Sequence, residues 1–250
     1  MNQASVGFHC PECAKKGRQK VYTASSLVTR PYFTYLLIAV NVVVYLLDSA
    51  SKSGNDPTQE TLTQKGALFG PDVANGDWYQ PITSGFLHAN IIHIGFNMFL
   101  LFQLGMLLEP ALKRVSYAVL YFTALLGGSF LVLVLDPNEA TLGASGAVFG
   151  LMGAAFVGLR SRGIDPFSTG IGGLIVLNLV FTFAIPNISI GGHIGGLVAG
   201  AAGGWLMFEA APQIEQGRKR GTGIMVATGL CALLGLALFA GCLYIAANPI

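Results

Sequence analysis

An all-α membrane protein, a polytopic bundle of seven helices, is the fold class that three features of this sequence predict. Only 10% of its 250 residues are charged, against roughly 25% in soluble domains, and the mean hydropathy is +0.62. Seven apolar runs, 31–47, 86–108, 115–135, 142–159, 170–185, 188–208 and 223–247, each come near the ~17–25 residues that span a bilayer. The 33 glycines follow no Gly-X-Y period and suit closely packed membrane helices. A lipid bilayer is therefore the expected surrounding. The net charge of +2 is too small to point to nucleic acid.

Residues 1–30 precede the first run and are polar and basic. They lack an apolar h-region, so no cleavable signal peptide is expected. His9, Cys10, Pro11, Glu12 and Cys13 look like half of a zinc knuckle, but a closed structural zinc site needs four ligands and no second CxxC follows. The segment reads either as a solvated tail or as a partial, or dimer-shared, metal site in which Cys10 and Cys13 are weak zinc candidates. Cys231 and Cys242 stand eleven residues apart in the last run, about 16 Å along a helix. A disulfide needs its Cα atoms within about 7 Å, so no disulfide framework is expected.

Basic residues set the orientation. Segments 1–30, 109–114, 160–169 and 209–222 hold twelve Lys and Arg, whereas 48–85, 136–141 and 186–187 hold only Lys52 and Lys65. The N-terminus is expected in the cytoplasm and, with seven spans, the C-terminus outside. The outer loop 48–85 is long enough to suggest function. Its apolar pieces, Ala67-Leu68-Phe69 and Trp78-Tyr79, suit an interfacial anchor.

Spans two, four and six enter from the outer face, and each carries a polar residue near its start. At 1.5 Å per residue Ser145 lies about 5 Å, His193 about 8 Å and His93 about 10 Å below the beginning of its run. Asn97 follows His93 by one turn, on the same face. Polar groups converging at one depth of a membrane are costly and are functional candidates by default. No Asp or Glu lies within these three runs, so a Ser-His dyad is more economical than a triad. His193 would be the base for Ser145, and Phe149, one turn after Ser145, would orient the imidazole by stacking. His93, Asn97 and the Ser145 N–H would bind an oxyanion. Gly146, Gly150 and Gly153 on one span, and Gly196, Gly200 and Gly203 on another, form stripes that permit close helix approach. A proton relay through His88, His93 and His193 is the competing chemistry. It calls for membrane carboxylates or an internal repeat, and neither is evident.

The motifs resemble those of the rhomboid family of intramembrane serine proteases. Gly143-Ala144-Ser145-Gly146 is similar to the family's GxSG motif, Gly192-His193 before Gly195-Gly196 to its histidine motif, and HANIIHIGFN, residues 88–97, to its HxxxN helix. The resemblance implies a rhomboid-like fold of the bacterial six-plus-one type, with a core at 31–208 and a linker and seventh helix at 209–250. It implies Ser145 as nucleophile, His193 as base, His93 and Asn97 as oxyanion partners, and supporting places for Phe149, His88 and Gly143. It further implies a serine endopeptidase of the cell membrane, without a cofactor, whose substrates are single-span or multi-span membrane proteins. A catalytically inactive rhomboid-like binding protein is the alternative. Three features depart from the family pattern. Gln80 stands where an arginine is usual, Phe149 replaces a tyrosine, and the tail 1–30 is similar to only the end of a zinc-binding domain.

Overall fold

The computed structural model describes residues 2–3, 8–9, 30–52, 61–186 and 188–249. Cys10 and Cys13 lie outside the described residues. Residues 1–30 form a unit of their own, in which β1 (Asn2–Gln3) pairs antiparallel with β2 (Phe8–His9).

From Pro31 onward the regular elements among the described residues are helices. In chain order they form α1 (Tyr32–Lys52), α2 (Leu62–Gly66), α3 (Gly70–Ala74), α4 (Gln80–Thr83), α5 (Ile91–Leu112), α6 (Arg114–Leu135), α7 (Ser145–Arg160), α8 (Ile171–Ala184), α9 (Ile190–Trp205), α10 (Ala211–Glu215) and α11 (Thr222–Ala247). A 3₁₀ turn, Ser84–Phe86, follows α4, and a π-helical turn, Leu206–Ala210, joins α9 to α10. Among the described residues five helices are long and apolar enough to cross a membrane, namely Tyr32–Lys52, Ile91–Leu112, Arg114–Leu135, Ile190–Glu215 and Thr222–Ala247. The chain is a multi-pass membrane protein. Helices α7 and α8 are apolar but shorter, at 16 and 14 residues.

Burial separates the helices by place. Ten of the first eleven residues after Ser145, from Gly146 to Ala155, line a continuous buried stretch on α7, so this helix is surrounded by protein. On α8 only Gly172, Asn178 and Thr182 are buried, while Val176, Val180 and Phe183 are exposed. Thus α7 is central and α8 peripheral. Leu101 and Leu104 of α5, Tyr117, Leu120 and Tyr121 of α6, and Val148, Leu151 and Met152 of α7 share the main core.

Glycine brings α6, α7 and α9 together. A Cβ at Gly196 would fall on the Gly146 carbonyl and within 2.9 Å of Gly146 Cα. One at Gly200 would fall on the Gly150 backbone, and one at Gly204 would reach Ala154 Cα at 2.7 Å. Gly127 and Gly128 of α6 meet the Gly195 and Gly192 carbonyls at 2.8 and 2.7 Å on the same terms. The expected stripe needs one correction. Gly203 faces Leu120 and Cys231, and Gly204 takes its place against α7, because a four-residue step from Gly200 follows the helix face more closely.

The three helices that carry the polar residues also start later than their apolar runs. Residues 86–90 and 142–144 are apolar enough to read as span, but they form the 3₁₀ turn and connecting loops. His93, Ser145 and His193 are therefore the third, first and fourth residues of their helices. Ser145 opens α7 and does not lie a turn below its start.

The expected loop 48–85 is partly structured. Helix α1 runs on to Lys52, and α2 to α4 fold over residues 62–83. Leu68 forms a two-way backbone bridge with Thr141, at 2.8 and 2.9 Å, and Gly70 N–H donates to Pro137 O at 2.8 Å. Ala67 and Leu68 are buried in protein, whereas Trp78 is 59% exposed. Of the two expected anchors, the second therefore presents an exposed Trp78 ring, while the first is folded into the protein. Gln80 is fully buried and acts as the loop's internal tie. Its Oε1 accepts from Phe69 N–H at 3.0 Å, and its Nε2 donates to Lys65 O and Asp72 Oδ2, both at 3.3 Å.

One carboxyl group sits inside a site-bearing helix. Glu109 is 0% exposed on α5, just beyond the apolar run 86–108. It lies sixteen residues after His93, roughly 24 Å along the axis, too far to join the histidines. Its oxygens accept from Phe33 N–H at 2.9 Å, Thr34 N–H at 2.8 Å and Thr34 Oγ1 at 2.7 Å. Those amides are among the four that a helix start leaves unpaired, so Glu109 caps α1 and docks it on α5.

Candidate active site

Three helix N-termini meet where the sequence places its polar residues, and they differ in how their amides are satisfied. Asn90 caps α5, accepting from Ile92 N–H at 3.1 Å and His93 N–H at 2.9 Å. Ser189 caps α9, accepting from Gly192 N–H at 3.0 Å. At α7 the N-cap is Ala144, and no side chain caps the helix. The first-turn amides around Ser145, and the positive end of the α7 dipole, are thus left for a ligand or water.

The approach to Ser145 depends on Gly143. Its N–H donates to Ser84 O at 2.9 Å, tying the loop to the 3₁₀ turn. Its φ is +130°, a region that side chains avoid. A Cβ there would also lie 2.8 Å from both Cε1 and Nε2 of His93 and 3.7 Å from Ser145 Oγ. The absent side chain is what allows the His93 ring edge and the Ser145 hydroxyl to flank one spot.

His93 is half-buried, with its orientation set from two sides. Ala89 N–H points at Nδ1 at a long 3.5 Å. The fully buried His88 packs edge-on against it, with ring centroids 5.0 Å apart and planes at 68°. Asn97 is buried and donates one amide hydrogen to His93 O at 2.9 Å. An Asn amide has two, so one remains.

His193 is positioned by packing and by a hydroxyl. Its ring stacks on Phe149 with centroids 4.0 Å apart and planes at 17°. Phe149 is four residues after Ser145 and on its face of α7. Gly192, next to His193, brings its carbonyl 3.1 Å from where a Gly146 Cβ would stand, so α7 and α9 nearly touch beside the serine and histidine. On its other side His193 Nδ1 lies 2.7 Å from Thr182 Oγ1.

Every predicted site residue in the described part of the chain is therefore within this one region: Ser145, His193, His93, Asn97, Phe149, His88 and Gly143. Thr182 was not anticipated. Its signal was the pair Asn178 and Thr182, polar residues one turn apart in an otherwise apolar run. Among the described residues no cluster of three metal-ligating side chains occurs.

Comparison with known proteins agrees with the motifs. The chain is similar to the rhomboid protease GluP of Bacillus subtilis (strain 168), 36% identical over 174 residues, covering 68% of this chain and 34% of that protein. It is similar to the putative rhomboid protease YdcA of the same organism, 30% identical over 174 residues, covering 68% and 85%. Similarity extends to the rhomboid-like protease 3 of Toxoplasma gondii, 27% identical over 173 residues, covering 66% and 65%. The match thus spans about a third of GluP and just under two thirds of the Toxoplasma protein. Residues 75–210, from the structured loop through the π-helical turn after α9, match the rhomboid domain family. With more than half of its length inside that match, this chain belongs to the rhomboid family.

Proposed function

We propose that the chain is an intramembrane serine endopeptidase that cuts transmembrane segments of other membrane proteins near the outer face. The observation that carries this reading is the His193 ring laid on Phe149, one turn from Ser145 at an uncapped helix start. Ser145 Oγ attacks the scissile carbonyl and its proton passes to His193 Nε2. The oxyanion forms beside the free α7 amides, the His93 ring and the remaining Asn97 N–H. His193 then returns the proton to the leaving amine, and water releases the acyl group from Ser145 by the same steps.

With the two short helices read as spans beside the five long ones, the count is seven, in a six-plus-one layout. At 1.5 Å per residue α7 extends about 24 Å and α8 about 21 Å, less than the ~30 Å hydrocarbon core. Being enclosed by protein, α7 need not match the lipid. Lipid-facing α8 implies a locally thinned bilayer. The bias of twelve basic residues to two supports a cytoplasmic N-terminus and an external C-terminus in the cell membrane. The division is a tail at 1–30, a catalytic core at 31–208, and a linker with the last helix at 209–250.

A scissile bond inside a regular helix is shielded, and unwinding it in hydrocarbon leaves backbone groups unsatisfied at several kcal/mol each. Substrates should accordingly carry Gly, Pro or other helix-weakening residues near the outer end of a span. Labelling by a serine-reactive fluorophosphonate tests the reading. Labelling and cleavage by the purified protein, both lost in Ser145→Ala, are expected. A protein that binds membrane helices without being labelled or cutting would instead be an inactive relative.

A further inference from the structure

The general base just described lacks a carboxylate to hold it, yet its second nitrogen is not free. Thr182 Oγ1 lies 2.7 Å from His193 Nδ1. The same hydroxyl donates to the Asn178 carbonyl, one turn earlier on α8, at 2.7 Å. A hydroxyl has one proton and two lone pairs. With that proton committed to Asn178, Oγ1 can only accept, so the short contact to His193 is a hydrogen bond when Nδ1 carries the hydrogen. Nε2 then keeps its lone pair.

The surroundings protect this arrangement. Thr182 is 2% exposed, so water does not compete for its oxygen. Asn178, also buried, donates to Leu174 O at 2.8 Å, and the two polar side chains form a seam along an otherwise apolar helix. An uncompensated polar seam on a membrane helix is costly, and here its end is a hydrogen bond to the base. Phe149 fixes the ring plane but, having no polar atom, cannot choose between tautomers.

We infer that Thr182 is a positioning residue, holding His193 in the tautomer whose Nε2 accepts the serine proton. The inference rests on the reading of His193 as the base, and it gives α8 a specific part: the base is correctly protonated only while this peripheral helix is packed against α9.

Two measurements test it. The first is ¹⁵N NMR of the full-length protein labelled at histidine, with the His193 signals identified by their loss in His193→Ala. At alkaline pH the wild type should show Nδ1 protonated and Nε2 bare, and Thr182→Val should shift His193 to the other tautomer or a mixture. The opposite tautomer in the wild type overturns the inference whether or not any variant folds. The second is steady-state cleavage. Thr182→Val, matched in shape, should lose about tenfold in kcat at unchanged KM, less than the 10²–10⁴ that a general base supplies in full, and Thr182→Ser should restore it. Wild-type kcat in Thr182→Val, or an equal loss in Thr182→Ser, overturns it. Failure of the peptidase reading is separately visible as a wild type that neither cuts nor labels.

Discussion

His193 lies flat on Phe149 at 4.0 Å between ring centroids, an aromatic support where many serine hydrolases use a buried acid to hold the base. A stacked pair is worth about 0.5–1.5 kcal/mol beyond its area. At 1.36 kcal/mol per decade this corresponds to about two- to tenfold in rate if it is spent on alignment. Phe149→Leu should lower kcat by that amount with little change in KM, and Phe149→Tyr should preserve it. Steady-state kinetics on a single-span substrate decide; a rise in KM alone would make Phe149 a substrate contact.

The Asn97 amide has one hydrogen committed to His93 O and one left for the oxyanion. Asn97→Ala should reduce kcat by about 10²–10³, the usual effect of losing one such donor. KM should move far less. An increase in KM at constant kcat would reassign Asn97 to substrate binding.

Gly196 sets the separation of α7 and α9, because a Cβ there would fall against the Gly146 backbone. Backbone cannot rotate aside as a side chain can. Gly196→Ala should cost about 1–3 kcal/mol, as overpacking typically does, and should also abolish cleavage by moving His193 away from Ser145. Gly229→Ala is the comparison, since a Cβ at Gly229 meets nothing within 4 Å. It should be neutral or slightly stabilising. Thermal unfolding in detergent, read beside activity, checks both; equal effects from the two would show that close packing is not the determinant.

Glu109 predicts a stability effect far from the chemistry. Glu109→Ala leaves the Thr34 donors buried without partners, at about 1–3 kcal/mol each. The melting temperature should fall clearly, while kcat of the protein that remains folded should stay near wild type. A kcat loss without loss of stability would mean that α1 docking reaches the site.

The seven apolar runs, the glycine spacing and the motifs around Ser145, His193, His93 and Asn97 were legible in the chain, because hydrophobic length and four-residue periodicity are local properties of a helix. Helix starts were not. Residues 86–90 and 142–144 have span-like composition, and only the turn at Gly143 and its bond to Ser84 end the apolar run before Ser145. The carboxyl group of Glu109 looked like a loop residue until helix α5 continued past it to cap α1. Gln80 likewise acquired a role only when Phe69, Lys65 and Asp72 folded around it. Thr182 shows the division most clearly. Its place on the polar face of its helix follows from the sequence, but its partner comes from the next helix. Which nitrogen of His193 it meets is a matter of how two helices pack, and no periodicity within either one encodes that distance.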